Sequence, residues 1–388
     1  MLIQFTVENH RSIRNSAVIS FAASKDKSFE EYLLHPDEKK TLLPSLAIYG
    51  ANAAGKSNVL HAMMTMRKMV VGDAAKISKG QKLPWEPFGR RKEPTSFEMI
   101  FIFRGVRYTY GFSFDADKIY KEYLYHWPNG REALIFSREN GVYEFRENVN
   151  EQVTLSNRTP DNKLYLVSSN DWNLPQTENA YRWFLEKLTF LMEEEPADSE
   201  TVAQIVGGDD KKARILNELL IADLGITDVT IKNGSNQVPV ITTTHRIINE
   251  NGTTEYFQLL MEQESVGTQH FFARIGGWLQ ALENGALLVV DEIEDSLHPL
   301  LTRRLIEMVQ DKAINTKGAQ LIFTTHDAML LDLNFFRRDQ IWFAEKNDET
   351  CATELYSLAS FSPRKGENVR KGYLQGRFGA IPFIGGDA

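Results

Sequence analysis

Apolar and polar positions along the chain change period several times. Near the start, "LIQFTVENHRSI" alternates as a strand does before a turn. Past the polar stretch "SKDKSFEEYLLHPDEKK", the apolar run "SLAIYG" suits a buried strand, and "SNVLHAMMTMRKMV" has helical spacing. From Thr95 to Trp127, aromatic residues alternate with polar ones, broken at "RG" and "DADK", which predicts an antiparallel meander. "EALIFSRENGVYEFREN" extends it as a hairpin about Asn140 and Gly141. "NAYRWFLEKLTFLM" predicts a helix, "EEEPADSE" a solvated loop, and "DDKKARILNELLIADLG" a helix ended by Gly225. "ITDVTIKNGS", "VPVITTTHRII" and "EYFQLLM" read as strands. The helix "TQHFFARIGGWLQALEN", the apolar strand "ALLVVDE", the helix "LLTRRLIEMVQDKAI" and the strand "AQLIFTTHD" follow. The order is mixed α/β, with an antiparallel insertion ahead of strands of parallel type.

Composition narrows the class. The 388 residues are 42% hydrophobic and 25% charged, which is ordinary for a globular chain long enough for two lobes. A single cysteine, Cys351, leaves no disulfide framework and no Cys-based metal site. The apolar run from Ala286 to Val290 is far too short to span a bilayer, and "MLIQFTVENH" lacks a signal-peptide core. A cytoplasmic protein with no membrane partner is expected. A net charge of −8 provides no bulk basic footprint for nucleic acid.

The chemistry concentrates in four stretches. "GANAAGKSN" matches G-x-x-x-x-G-K-[ST], with strand before and helix after. Gly50, Asn52, Gly55, Lys56, Ser57 and Asn58 are the candidate phosphate contacts, because a glycine-rich turn aims backbone N–H groups at phosphate oxygens. Lys56 suits the β- and γ-phosphates of ATP, and the Ser57 hydroxyl suits Mg²⁺. In "GALLVVDEIEDSLHP", Asp291 ends an apolar strand where a carboxylate can hold Mg²⁺, and Glu292 is placed to accept a proton from an attacking water. In "AQLIFTTHD", His326 follows another such strand and can reach a γ-phosphate. In "ESVGTQHFFAR", Ser265 and Gly267 stand at a helix start, as a plain N-cap or as a second anion site. One nucleotide already has its loop, carboxylate and histidine. The surplus anion site makes sense if it caps the γ-phosphate of a partner's nucleotide.

Taken together, these motifs resemble an ABC-type ATPase head, the class of the SMC and RecF proteins and the coiled-coil repair ATPases. More narrowly, "FTVENHRSI", "GANAAGKSN", "ESVGT", "DEIEDSLHP", "LIFTTHD", "RRDQIWFAEK" and "YLQGRFGAIPFI" resemble the phage-defence ATPases of the AbiLi, RloA and PARIS AriA type. The resemblance implies an α/β head with a mixed sheet, an antiparallel β-insertion in lobe I and a short helical insertion. No long heptad run separates the halves, so no coiled-coil arm is expected. The expected organisation is lobe I over 1–190, a helical insertion over 191–235 and lobe II over 236–388. By residue, the resemblance implies Glu292 and His326 as catalytic, and Ser57 and Asp291 on Mg²⁺. It implies Gly50, Gly55, Lys56 and Ser57 on the phosphates, and Ser265 and Gly267 as a signature acting across a dimer. Arg11 matches an N-terminal basic position that touches nucleotide, with Arg14 a weaker candidate. Gln176, in "SSNDWNLPQ", is the candidate for the glutamine that couples metal to substrate. Asp295 to Pro299 matches the segment that contacts the opposing head, with His298 where many members carry a second Asp.

The function these features imply is an ATP-driven switch in antiviral defence. It would pair heads on ATP, as a dimer or a higher even oligomer, and control a separately encoded toxic effector, expected to be a nuclease. A phage protein or nucleic acid would be its trigger. The alternatives are a RecF-like DNA repair ATPase, which needs a basic DNA-facing groove, and a nucleotide-binding scaffold with negligible turnover, in which Glu292 has no evident use.

Overall fold

The computed structural model describes residues 1–381, apart from 39, 193–198, 223, 234–238 and 365. Leu2–Glu8 (β1) and Ala17–Ser20 (β2) are followed by the small hairpin Leu34–Asp37 (β3) and Lys40–Leu42 (β4). Ser45–Tyr49 (β5) runs into Lys56–Val71 (α1). The meander is Thr95–Phe103 (β6), Val106–Phe114 (β7), Ile119–Trp127 (β8), Ala133–Glu139 (β9) and Val142–Phe145 (β10). Three helices, Val149–Ser156 (α2), Tyr165–Asp171 (α3) and Pro175–Glu186 (α4), lead to Leu188–Leu191 (β11). Ser199–Val206 (α5), Asp209–Ile221 (α6), Ile226–Asn233 (β12), Pro239–Ile248 (β13) and Thr254–Leu260 (β14) come next. Val266–Asn284 (α7), Leu287–Val290 (β15), Pro299–Gln310 (α8), Gln320–Thr325 (β16), Ile341–Lys346 (β17), Thr353–Ser357 (β18) and Val369–Leu374 (α9) complete the described chain.

A six-stranded sheet in the order β11-β15-β16-β5-β17-β18 forms the centre. Its pairings are parallel except β17 with β18. Successive residues serve opposite faces, as the period of a strand requires. Leu46, Ile48, Val289 and Ile322 enter one core, and Ala47, Tyr49, Val290 and Phe323 enter the other. That is why β5 reads as an unbroken apolar run, since both its faces are covered.

The first core also holds α1 and the second sheet, seven strands in the order β10-β9-β8-β7-β6-β1-β2. Phe97, Phe101 and Tyr110 of that sheet share one cluster with Met63 and Met66 of α1. Trp183 of α4 stacks on Phe101 at 4.1 Å. The apolar face of the antiparallel stretch is therefore covered by α1 and α4, in one core with the central sheet. The second core holds α6, α7, α8 and α9. The chain's first strand is stapled to a late one, with Leu2 N donating to Gln320 Oε1 at 2.6 Å and Gln320 Nε2 to Leu2 O at 3.0 Å.

Several sequence expectations are corrected. The helix expected over "NAYRWFLEKLTFLM" ends at Glu186, and Leu188–Leu191 is an edge strand beside β15, gaining main-chain pairs that a helix there would forgo. The boundary expected at 190 falls inside β11, which pairs with β15 in the central sheet. The boundary expected at 235 separates β12 from its own partner β13, because the three strands β12-β13-β14 form one small sheet. Helices α2 and α3 lie where no element was expected. Of the C-terminal motif from Tyr373 to Ile384, residues 382–384 lie outside the described residues. Tyr373 and Phe378 pack on Phe343 behind the phosphate loop, and Tyr373 meets Tyr49 edge-on at 6.1 Å.

Candidate nucleotide site

The loop between β5 and α1 is held from several sides, and both its glycines are sterically required. A Cβ on Gly50 would sit 2.3 Å from the Ala344 carbonyl oxygen of β17. Gly55 has φ +95°, and a Cβ there would sit 2.0 Å from Thr353 Oγ1 of β18. Gly55 is also the N-cap of α1, so the loop delivers its backbone N–H groups at a helix start. Lys56 is buried and folds over the loop, with Nζ donating to Gly50 O at 2.9 Å and Ala51 O at 3.2 Å. Burial pulls its ammonium below the usual lysine range, and the carboxylates of Glu292, Asp291 and Glu294 oppose that pull.

Opposite the loop, β15 ends at Asp291 and β16 at Thr325. Ser57 Oγ donates to Asp291 Oδ1 at 3.0 Å, and Thr324 Oγ1 donates to the same oxygen. Thr324 Oγ1 also accepts from Glu292 N at 2.8 Å. Glu292 adopts φ +45°, a left-handed backbone that a glutamate seldom takes. His326 is held by Glu294, whose Oε1 accepts from His326 N at 2.6 Å and lies 3.0 Å from His326 Nδ1. The imidazole is 59% exposed at the mouth. Parallel neighbours thus bring the phosphate loop, the acidic turn and the histidine to the same end of one sheet, as open α/β folds bring their sites to strand ends.

Ser265 caps α7, its Oγ accepting from Thr268 N at 3.1 Å. A Cβ on Gly267 would stand 2.9 Å from Ser296 O, so this turn rests on the segment after the acidic pair. Glu264, next in line, accepts from Thr243 Oγ1 and lies 2.6 Å from His245 Nε2, joining the helix start to the small sheet. His298 caps α8, its Nδ1 accepting from Leu300 N at 3.2 Å.

Other expected residues stand elsewhere. The Asn58 amide is directed away from the loop and donates to Ser12 Oγ at 2.7 Å. Asn52 is exposed on the loop. Arg11, beside Ser12, pairs with Glu86 at 2.7 Å, and the Arg14 carbonyl accepts from Arg91 at 3.3 Å. Gln176 lies in the first turn of α4 with its Oε1 buried and unpartnered, and it makes no hydrogen bond to Ser57 or Asp291 among the described residues. Four residues that the sequence reading missed complete the assembly. Thr324 and Glu294 hold the acidic turn and the histidine, and Ser12 and Thr353, 2.7 Å apart, support the loop from behind. "FTTHD" and the third acid of "DEIED" were the only local signals for the first two. Nothing local marks Ser12 and Thr353, since their role comes from a contact across 341 positions.

A family model described as "AAA domain, putative AbiEii toxin, Type IV TA system" matches residues 45–332, roughly three quarters of the chain. No curated protein matches.

Proposed function

We infer the function from one premise: the chain belongs to that AAA-domain family. We propose that it binds and hydrolyses ATP as an ABC-type switch protein in a bacterial antiviral, abortive-infection system. In this reading, ATP-dependent pairing of heads senses infection and controls a separately encoded toxic effector, a nuclease. The observation that carries the reading is the junction of Ser57, Asp291 and Thr324, where residues 234 positions apart meet on one carboxylate oxygen.

The residues present fit a magnesium nucleotide. A Cβ on either glycine would collide with the strands behind the loop, so only glycine lets the loop keep this backbone-lined form, and a lysine is seated over it. A hydroxyl and a carboxylate, hard oxygen donors suited to Mg²⁺, adjoin it. Gly50, Gly55 and Lys56 would hold the phosphates, and Ser57 and Asp291 would hold Mg²⁺. When bound, Mg²⁺ neutralises charge on the phosphate oxygens. Glu292 accepts the proton of the attacking water at its carboxylate, and Thr324 fixes its backbone. His326, steadied by Glu294, contacts the γ-phosphate end.

Pairing is supported by exposed side chains that adjoin the site segments in sequence. Val266, Leu300 and Met329 directly follow the Ser265 turn, the Asp295–Pro299 segment and the His326 loop, and they are 58%, 69% and 63% exposed. Large exposed apolar side chains next to three site segments favour burial against another protein surface. The test is Glu292→Gln, which keeps shape and removes basicity. It is expected to bind ATP, to hydrolyse it about 10²- to 10⁴-fold more slowly and to accumulate as pairs in mass photometry with ATP and Mg²⁺. Adding Ser265→Arg should disperse those pairs. No gain in association for the Gln variant, or pairs that survive the added Arg, would sink the trans role of Ser265. Native purification from its own operon, with identification of what co-elutes, tests the effector.

A further inference from the structure

The turn that carries Glu292 needs an external brace. Its φ of +45° is a strained backbone conformation for a non-glycine residue, one that persists only where surroundings fix it. On the N–H side, the brace is β16, since Glu292 N donates to Thr324 Oγ1 and Ile293 N to Thr324 O at 3.1 Å. On the carbonyl side it is Arg274. Its Nη1 donates to Ile293 O at 2.9 Å, its Nη2 to Glu292 O at 3.5 Å, and Nη2 stands 3.7 Å from Asp295 Oδ2. The Arg274 side chain is 12% exposed, and a guanidinium is the one side chain that can serve two carbonyls and a carboxylate from one plane.

Arg274 is held in turn. It lies on α7, nine residues beyond the Ser265 cap, and the stretch around it is hooked by α5. Thr201 Oγ1 donates to Phe272 O at 2.8 Å and accepts from Gly276 N at 2.9 Å, and Gln204 Nε2 donates to Gly276 O at 2.7 Å. The hook requires Gly276, where a Cβ would come within 2.4 Å of Thr201 Cα. Arg274, His270 and Gly277 share a cavity of about 780 Å³ with Asp291, Glu292 and Asp295, so the guanidinium borders the acidic turn from within.

We propose that Arg274 is a positioning residue for the base: it fixes the left-handed turn that presents Glu292 and ties that turn to the helix capped by Ser265. It acts through the Glu292 and Ile293 carbonyls. The inference rests on the reading of Glu292 as the base. It adds that α7 is a rigid link between the exposed Ser265 face and the geometry of hydrolysis, and that α5 sets the register of that link.

The experiment compares wild type, Arg274→Ala, Arg274→Lys and Glu292→Gln for ATP affinity by calorimetry, and for kcat and KM by steady-state hydrolysis. Arg274→Ala should lose about 10- to 100-fold in kcat, the range expected for a displaced reacting group, with ATP affinity and KM within twofold. Arg274→Lys retains one donor and the charge and should recover part of kcat. Should the Ala variant fail to fold, the Lys variant carries the test alone: a folded Lys variant with kcat reduced at unchanged ATP affinity supports the proposal, and wild-type kcat refutes it. Loss of ATP affinity in step with kcat also refutes it, because that pattern belongs to a general collapse of the site. A wild type that turns over while Glu292→Gln is equally active would overturn the base assignment itself. An inactive Glu292→Gln beside a fully active, folded Arg274→Ala would overturn only the role of Arg274.

Discussion

Two helix starts in this molecule, behind Gly55 and behind Ser265, are built to different standards. The phosphate loop at α1 is enclosed: β17 and β18 press on its glycines, Asp291 meets its serine, and Ser12 joins it from the N-terminal turn. The Ser265 start of α7 is open: Ser265 and Val266 are exposed, and Glu264, the contact under Gly267 and the pairing of His270 with Asp295 moor it to the rest of the chain. The first site has its complement within the chain. The second presents an open edge. Enclosure and exposure therefore separate two helix starts that both begin at a small residue and a turn.

The contrast can be broken most directly at Lys56. Lys56→Ala should lower ATP affinity on the order of 10²-fold or more, because the loop loses the cation seated over it. Near-normal affinity by calorimetry would show that the enclosed loop is not the nucleotide site.

Acid should loosen the enclosed side first. His10, buried beneath the loop's supporting turn with both ring nitrogens unpartnered, has its pKa lowered from 6.5 to about 4, chiefly by burial and then by Arg11, with Glu86 opposing and His61 adding. The unfolded chain then binds more protons between those two values, so stability falls as pH drops from about 6.5 to about 4. The loss is up to about 3 kcal/mol. Denaturant melts of wild type and His10→Phe across that range should diverge from wild-type behaviour only in slope, with the slope lower in the variant. Equal slopes would remove His10 from the account.

Paired glycine substitutions sharpen the comparison further. Gly55→Ala, forced to φ +95° against Thr353, should lose about 2–3 kcal/mol, and Gly267→Ala, free of that left-handed strain but 2.9 Å from the Ser296 backbone oxygen, should lose less, about 1.5 kcal/mol. Equal losses would mean the two turns are equally confined. The smallest effect is expected for Ser265→Ala, which removes an N-cap and should cost about 1 kcal/mol in stability while leaving ATP affinity unchanged.

The parts of this molecule legible from sequence were those whose signal is local. A glycine-lysine turn between an apolar strand and a helix, or an acid pair after four buried residues, has its meaning within a dozen positions. What could not be read was set by contacts between distant segments. "LTFL" continues the helical pattern before it, and only an open edge beside β15 makes it a strand. Asn58 sits in the loop motif, yet its amide is claimed by Ser12, 46 positions away. Glu294 and Arg274 resemble surface charges in one dimension, and their neighbours across the sheet end turn them into braces.

The placement of β5 has a consequence for how the protein is made. The strand that leads into the phosphate loop pairs on both sides with β16 and β17, which leave the ribosome after some 275 further residues have been added. Until then, its main chain has no lateral partner, and Gly50 and Gly55 have no wall. The loop therefore takes its final shape only once β16, β17 and β18 have been added. A chain cut before β16, even with the whole loop motif already synthesised, would expose an unpaired apolar strand, a template for aggregation.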